Sequence, residues 1–178
     1  PIGNYNEAFY SFLSDENAEL INTYNAVKNN PKKLMKLLSG YKYESEFYYS
    51  LRNLDREKKY KKTDKLKKAA RFIYLNKTCF NGLYRVNSKG EFNVPFGKYI
   101  NPGIYDPANL SLCCKVLKKA NLTCASYEKI LTKVKKGDFV YLDPPYMPLS
   151  DTSNFTSYTK TGFSFEEQVA LSKFCEKL

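Results

Sequence analysis

The chain has 178 residues, 43% of them apolar, and a formal net charge of +11, which suits one domain, or one with an insertion, built on a sizeable core. It contains no histidine, so the commonest general base and every triad built on it are excluded; five cysteines, odd in number and without CxxC spacing, argue against a metal site or a disulfide scaffold. No run approaches 18 apolar residues, and the opening PIGNYNEAFY lacks the basic and apolar regions of a signal peptide, so the expected location is the cytoplasm.

In chain order, SFLSD (11–15) reads as a short strand ending in an acid. NAELINTYNAVKN follows with Leu20, Ile21, Tyr24 and Val27 at helical spacing. Pro31 opens a second helix, PKKLMKLLSG, which Gly40 closes. Residues 44–80 read as largely helical. Within them, residues 56–71 hold nine Lys and Arg against Glu57 and Asp64, a net +7 that carries most of the excess charge. Such a segment attracts a polyanion through phosphate neutralisation and counterion release, although a solvated helix face accounts for lysines equally well. LYRV and EFNV flank NSKG within residues 82–99, a β-hairpin signal. A loop at 100–109 precedes a helix over 108–120, a strand at LTCASY, a short helix near 127–135 and a strand at FVYL (139–142). A polar loop, 148–163, leads to a helix starting at Ser164, where Ser164 and Glu167 have the spacing of a capping box. Strands alternating with helices predict an α/β layer with a parallel sheet, and residues 31–107 interrupt that alternation as an inserted second domain.

The strand FVYL ends on Asp143, Pro144, Pro145 and Tyr146. Ligands of open α/β sheets sit beyond the carboxyl ends of strands, where this tetrapeptide falls. Consecutive prolines hold the backbone extended and leave carbonyls free as acceptors. With the aspartate, they can accept both hydrogens of an exocyclic amino group, while Tyr146 offers a flat face to a base. An amine held this way has its lone pair aimed at an electrophile, so attack on a methyl group needs only positioning and electrostatics. D-P-P also occurs in loops that merely end strands.

DPPY resembles the signature of amino-group methyltransferases that use S-adenosylmethionine, and its surroundings resemble the Dam family of adenine-N6 methyltransferases acting on GATC. FNGLYRVNSKGEFNVPFGKY (80–99) is similar to that family's DNA-reading hairpin, LSDENAELIN (13–22) to its second-strand motif, and residues 148–171 to the segment after DPPY. The resemblance implies a Rossmann-like methyltransferase sheet, residues 1–30 and 108–178, with an inserted helical and β-hairpin DNA-recognition domain, 31–107. It implies S-adenosylmethionine as methyl donor, no metal, and double-stranded DNA as partner, with the protein at the nucleoid. Asp143 would accept from adenine N6 and lie near the methionine part of the cofactor. The Pro144 carbonyl would take the second hydrogen, beside Pro145, and Tyr146 would stack on the extruded base. Asp15 matches the ribose-binding acid; read alone, it is also a candidate N-cap for a helix starting near Glu16. Tyr127 offers a ring to the cofactor adenine, but Ser126 stands where the family has an acid. In the hairpin, Arg85 matches the arginine that reads a guanine, a contact worth ~1–3 kcal/mol of discrimination. Phe80, Asn81, Leu83 and Pro95 match residues that wedge into or touch the bases, with packing under the hairpin as the other reading of Phe80 and Leu83. Asn93 is read equally as hairpin structure or DNA contact. Lys61, Lys62 and their neighbours would hold phosphates.

The chain departs from the family at its start, where a tryptophan–lysine segment and a glycine-rich loop are expected and NEAFY runs directly into SFLSD. A helix and loop are therefore expected to be missing between Tyr10 and Ser11, and the last strands after Leu178, so that these residues form part of a longer chain. A non-catalytic DNA-binding module and an RNA amino-methyltransferase stay open as alternatives, with a cytosine-N4 enzyme behind them. An endonuclease sharing the site would be a functional partner only, as in restriction-modification, not a physical one.

Overall fold

The computed structural model describes residues 11–144 and 164–178. Two parallel strands, β1 (Ser11–Asp15) and β2 (Ala120–Cys124), pair in register from Ser11 opposite Ala120 to Asp15 opposite Cys124. The chain between them passes through α1 (Ala18–Asn29), α2 (Pro31–Ser39), α3 (Ser45–Asn53), α4 (Lys65–Thr78) and α5 (Pro107–Leu117). After β2 come a 3-10 turn, Tyr127–Thr132, and α6 (Phe165–Cys175). This is a mixed α/β fold with a small parallel sheet.

Local signals explain most element ends. Asn17 caps α1 by accepting from the amides of Glu19 and Leu20, and Asp64 and Asp106 cap α4 and α5 in the same way. Pro31 opens α2 and Gly40 closes it; the Ser164–Glu167 capping box of α6 is formed in both directions. The cap of α1 is thus Asn17, not Asp15, whose Oδ1 instead accepts from the Asn17 amide at 2.6 Å.

Helix α4 is the centre of the packing, lying against α1, α2 and α3. Ala69, Ala70, Tyr74 and Leu75 of α4 share one buried cluster with Ala26 and Val27 of α1, Leu34 and Leu38 of α2 and Tyr48 of α3. Cys114 and Leu117 of α5 join the same cluster, so the core is continuous across residues 30/31 and 107/108. Fully burying each leucine contributes about 1.5–3 kcal/mol. The buried tyrosines keep polar partners: Tyr48 donates to the Val94 carbonyl at 2.9 Å and Tyr74 to that of Lys42 at 2.8 Å. Burial pushes the Tyr74 phenol up to about 12.

Residues 79–99 return on themselves beside α4. Val86 bridges Phe92 and Cys79 bridges Phe96, both antiparallel, around a turn at 87–90 with Gly90 at φ +77°. Asn87 stabilises that turn, its Oδ1 accepting from the amides of Lys89 and Glu91. At the base, the Gly97 amide donates to the Thr78 carbonyl at 2.8 Å, and a Cβ on Gly97 would lie 2.5 Å from the Tyr99 ring and 2.8 Å from the Cys79 carbonyl. The predicted hairpin is therefore present as isolated bridges, not as two continuous strands.

Two strand predictions need correction. The strand expected at LTCASY starts two residues earlier and stops at Cys124, because its ladder follows the five residues of β1. FVYL forms no strand: among the described residues no backbone pairs with it, and Phe139 and Tyr141 are 89% and 74% exposed. An apolar, β-prone run becomes a strand only where a neighbour supplies its hydrogen bonds. The expected break between Tyr10 and Ser11 and the loop 148–163 fall outside the described residues.

Candidate functional site

Parallel pairing of β1 and β2 brings their carboxyl ends to one edge. Asp15 is the last residue of β1, exposed, and its carbonyl accepts from the Ala125 amide at 3.2 Å. Ser126 and Tyr127 therefore follow β2 directly beside Asp15. Among the described residues only Oδ1 of Asp15 has a partner, which leaves Oδ2 as an open acceptor. Ser126 Oγ donates to Glu128 Oε2 at 2.9 Å, so an acid does stand beside the serine, two residues further along. The Tyr127 ring meets Phe174 of α6 edge-on, centroids 5.0 Å apart. A carboxylate with a free oxygen, a serine backed by an acid and an aromatic ring, gathered at strand ends, fit the hydroxyls, amine and ring of a nucleoside. Asp143 is exposed and Pro144 half-buried, and neither makes a described hydrogen bond to that group. Pro145 and Tyr146 lie outside the described residues.

The second group lies where α4 meets the hairpin. Asn81 (φ +53°) and Gly82 (φ +62°) are both left-handed and reverse the chain after α4. This turn leaves Phe80 50% and Leu83 40% exposed. The Phe80 amide donates to the carbonyl of exposed Pro95 at 2.9 Å, so both limbs contribute to the same rim. Arg85 is half-buried, and its Nε donates to Asn93 Oδ1 at 2.8 Å, which leaves the terminal guanidinium nitrogens without a described partner. Asn93 is thus held within the hairpin.

The basic segment divides in a way its composition conceals. Lys58, Lys59, Lys61 and Lys62 are exposed on a 3-10 turn, Lys58–Lys62, and Lys65 and Lys67 are exposed on α4. Arg71, in contrast, is only 2% exposed, and all five of its donors are satisfied. Nε donates to the Leu51 carbonyl at 2.7 Å; Nη2 to the Arg52 carbonyl at 2.8 Å and Asp55 Oδ2 at 2.7 Å; Nη1 to the Tyr60 hydroxyl at 3.2 Å and Glu19 Oε2 at 3.5 Å. Tyr60 in turn donates to Glu19 Oε1 at 2.5 Å, and burial pushes its phenol up. Arg56 pairs with Asp55 Oδ1 at 2.6 Å and donates to the Phe92 carbonyl at 2.9 Å. Two of the nine charges are therefore tied up internally. Neither Asp55 nor Glu19 lies within the basic run, and no local pattern marks them as its partners.

A cavity of about 610 Å³ opens beside this cluster, between the start of α1, Lys58 and Lys61, and Tyr84 and Phe92 of the hairpin. Among the described residues no three His, Cys, Asp or Glu gather as a metal site, and no helix is long and apolar enough to cross a membrane.

A small parallel sheet with helical crossover and an exposed acid at the end of β1 is consistent with a methyltransferase fold. Sequence comparison narrows this class. The family of D12 class N6 adenine-specific DNA methyltransferases matches residues 5–178, and the chain belongs to that family. It is 46% identical over 175 residues to the Type II methyltransferase M.MjaIII of Methanocaldococcus jannaschii, covering 93% of this chain and 60% of that protein. It is 46% identical over 163 residues to M1.LlaDCHI of Lactococcus lactis, covering 89% and 57%. A DNA adenine methylase of Vibrio cholerae is 37% identical over 172 residues, with 93% and 59% covered. The chain spans about three fifths of the length of these curated relatives.

Proposed function

We propose that this chain is the greater part of a site-specific DNA adenine-N6 methyltransferase that moves a methyl group from S-adenosylmethionine to an extruded adenine, with GATC as the favoured site. Family membership supports the reaction class. The observation that carries the reading is the exposed Asp15 carboxylate at the end of β1, in register with β2 and beside Ser126 and Tyr127. In this reading residues 31–107 form the recognition region, inserted into a Rossmann-like catalytic sheet contributed by 1–30 and 108–178.

The residues then divide the work. Asp15 takes the ribose hydroxyls of the cofactor through its open oxygen, and Tyr127 and Ser126 face its adenine. When bound, S-adenosylmethionine supplies an electrophilic methyl group. Asp143 and the Pro144 carbonyl accept the two hydrogens of the adenine amine, turning its lone pair toward that methyl, while Pro145 keeps the backbone extended and Tyr146 stacks on the base. Asp143 would thus hold the amine for transfer and take up the proton it gives up, while the bound cofactor would supply the methyl carbon and its sulfur would keep the bonding pair. At the rim, Arg85 reads a guanine, and Phe80, Asn81, Leu83 and Pro95 fill the gap in the stack. Lys61 and Lys62 lie along phosphates and set register without reading sequence.

A methyl-transfer assay on the full-length protein tests this, using labelled S-adenosylmethionine and duplexes that differ only in holding GATC or GTAC. Label is expected on adenine N6 of GATC alone, and none with Asp143→Ala. Binding of both duplexes without label would favour a non-catalytic DNA-binding module; label on RNA and not on duplex DNA would favour an RNA enzyme.

A further inference from the structure

The hairpin arginine is held by a connected set of bonds that begins deep in α4. Asp55 Oδ2 accepts from two donors: Arg71 Nη2 at 2.7 Å and the Phe92 backbone amide at 2.9 Å. Arg56, anchored on the other oxygen of Asp55, donates to the Phe92 carbonyl at 2.9 Å. Both backbone groups of Phe92 are therefore gripped from outside the hairpin, as a neighbouring strand would grip them. Phe92 is 4% exposed and bridges Val86, the residue after Arg85. The next residue, Asn93, donates its amide to the Arg85 carbonyl at 3.1 Å and accepts from Arg85 Nε at 2.8 Å.

Each link removes a freedom that matters for reading a base. Two isolated bridges are too few to fix the twist of a hairpin this short, because an isolated two-stranded ribbon is marginal in water. The grip on Phe92 supplies the missing constraint. Asn93 then uses up Nε of Arg85, which leaves the two terminal nitrogens without a described partner, the pair of donors that a bidentate contact to a guanine edge uses. At the inner end Arg71 has no spare donor, so Asp55 has no alternative arrangement with it.

We propose that Asp55 and Asn93 are positioning residues for Arg85, and that Arg71, Asp55, Phe92 and Asn93 form a relay fixing the angle at which the arginine meets DNA. The proposal rests on the reading of Arg85 as a base reader. It locates part of the sequence discrimination in a buried ion pair on the helical side, not only at the DNA surface.

The test is single-turnover methylation by the full-length enzyme of a GATC duplex and of one with adenine in place of the first guanine. The wild type is expected to prefer GATC, and Arg85→Ala to lose at least about fivefold of that preference, the lower end of what a bidentate arginine–guanine contact contributes. Asn93→Ala and Asp55→Asn, the latter nearly isosteric and chosen to keep the fold, should each lose a comparable share with an unchanged KM for S-adenosylmethionine. Arg85→Ala combined with Asn93→Ala should lose no more than Arg85→Ala alone. Tyr60→Phe removes a hydroxyl from the Glu19 side of the same cluster and should lower the melting temperature while leaving the preference intact. Full preference in folded Asn93→Ala and Asp55→Asn would overturn the relay while the function stands, as would loss of preference in Tyr60→Phe equal to that in Asp55→Asn. A wild type that methylates neither duplex would overturn the functional reading and the relay with it.

Discussion

Around Arg71 every donor of a buried guanidinium has a protein acceptor, whereas at the ends of β1 and β2 an exposed carboxylate keeps an oxygen with no described partner. Both regions are rich in charge, yet the first uses it to hold elements together and the second leaves it available. Buried charge is tolerated only when paired and hydrogen-bonded, so saturation marks a structural role. Exposed, unsatisfied acceptors gathered at strand ends mark a place for a ligand. Counting charges cannot separate these cases; counting partners does.

Substitution should pull the two regions apart. Arg71→Leu takes the buried donor from the Leu51 and Arg52 carbonyls and from Asp55 Oδ2 and is expected to cost about 3–5 kcal/mol in denaturant unfolding of the full-length protein. A loss below about 1 kcal/mol would mean that the cluster is not where stability is concentrated. Asp15→Ala should do the reverse. Binding of S-adenosylmethionine, followed by calorimetry, should weaken by the roughly 1.5–3 kcal/mol of a charged hydrogen bond, with little change in melting temperature. Equal affinity would remove Asp15 from the cofactor site.

A gentler probe uses the thiols. Cys79 sits at the hairpin base, where burial pushes its thiol up to about 11, while Cys124 at the strand end and Cys175 are exposed. Only the thiolate is nucleophilic, so a raised value keeps Cys79 protonated and inert at pH 8. Alkylation at that pH, read by mass spectrometry, should modify Cys124 and Cys175 and spare Cys79. Labelling of Cys79 at the rate of the other two would mean that the hairpin base opens readily.

Much of this arrangement is legible in the residues themselves. Pro31, Gly40 and the Ser164–Glu167 pair act through their nearest neighbours, so helices α2 and α6 can be read locally. SFLSD reads correctly as a strand ending in an exposed acid. The failures are non-local. FVYL has strand chemistry, but a strand needs a neighbour to pair with, and its own residues do not supply one. Arg71 reads as one more surface cation because its partners, Glu19 and Asp55, lie 52 and 16 residues away. Asp15 reads as a possible cap because the true cap, Asn17, stands only two residues on and has equally good cap chemistry. At the candidate site the individual residues can be named from sequence, but the grip of Asp55 and Arg56 on Phe92 cannot, since its backbone groups carry no sequence signal.

Two glycines in the hairpin and the loop after it stand in unlike surroundings. Around Gly103 nothing lies within 4 Å of where a side chain would begin, while at Gly97 a first carbon would collide with the Tyr99 ring and with two backbone carbonyls of residues 78 and 79. For a drifting gene the two codons are therefore unequal. Codon 103 is open ground, on which replacements accumulate silently. Codon 97 is a fixed point, because even one methyl group there would pry the hairpin off the end of α4.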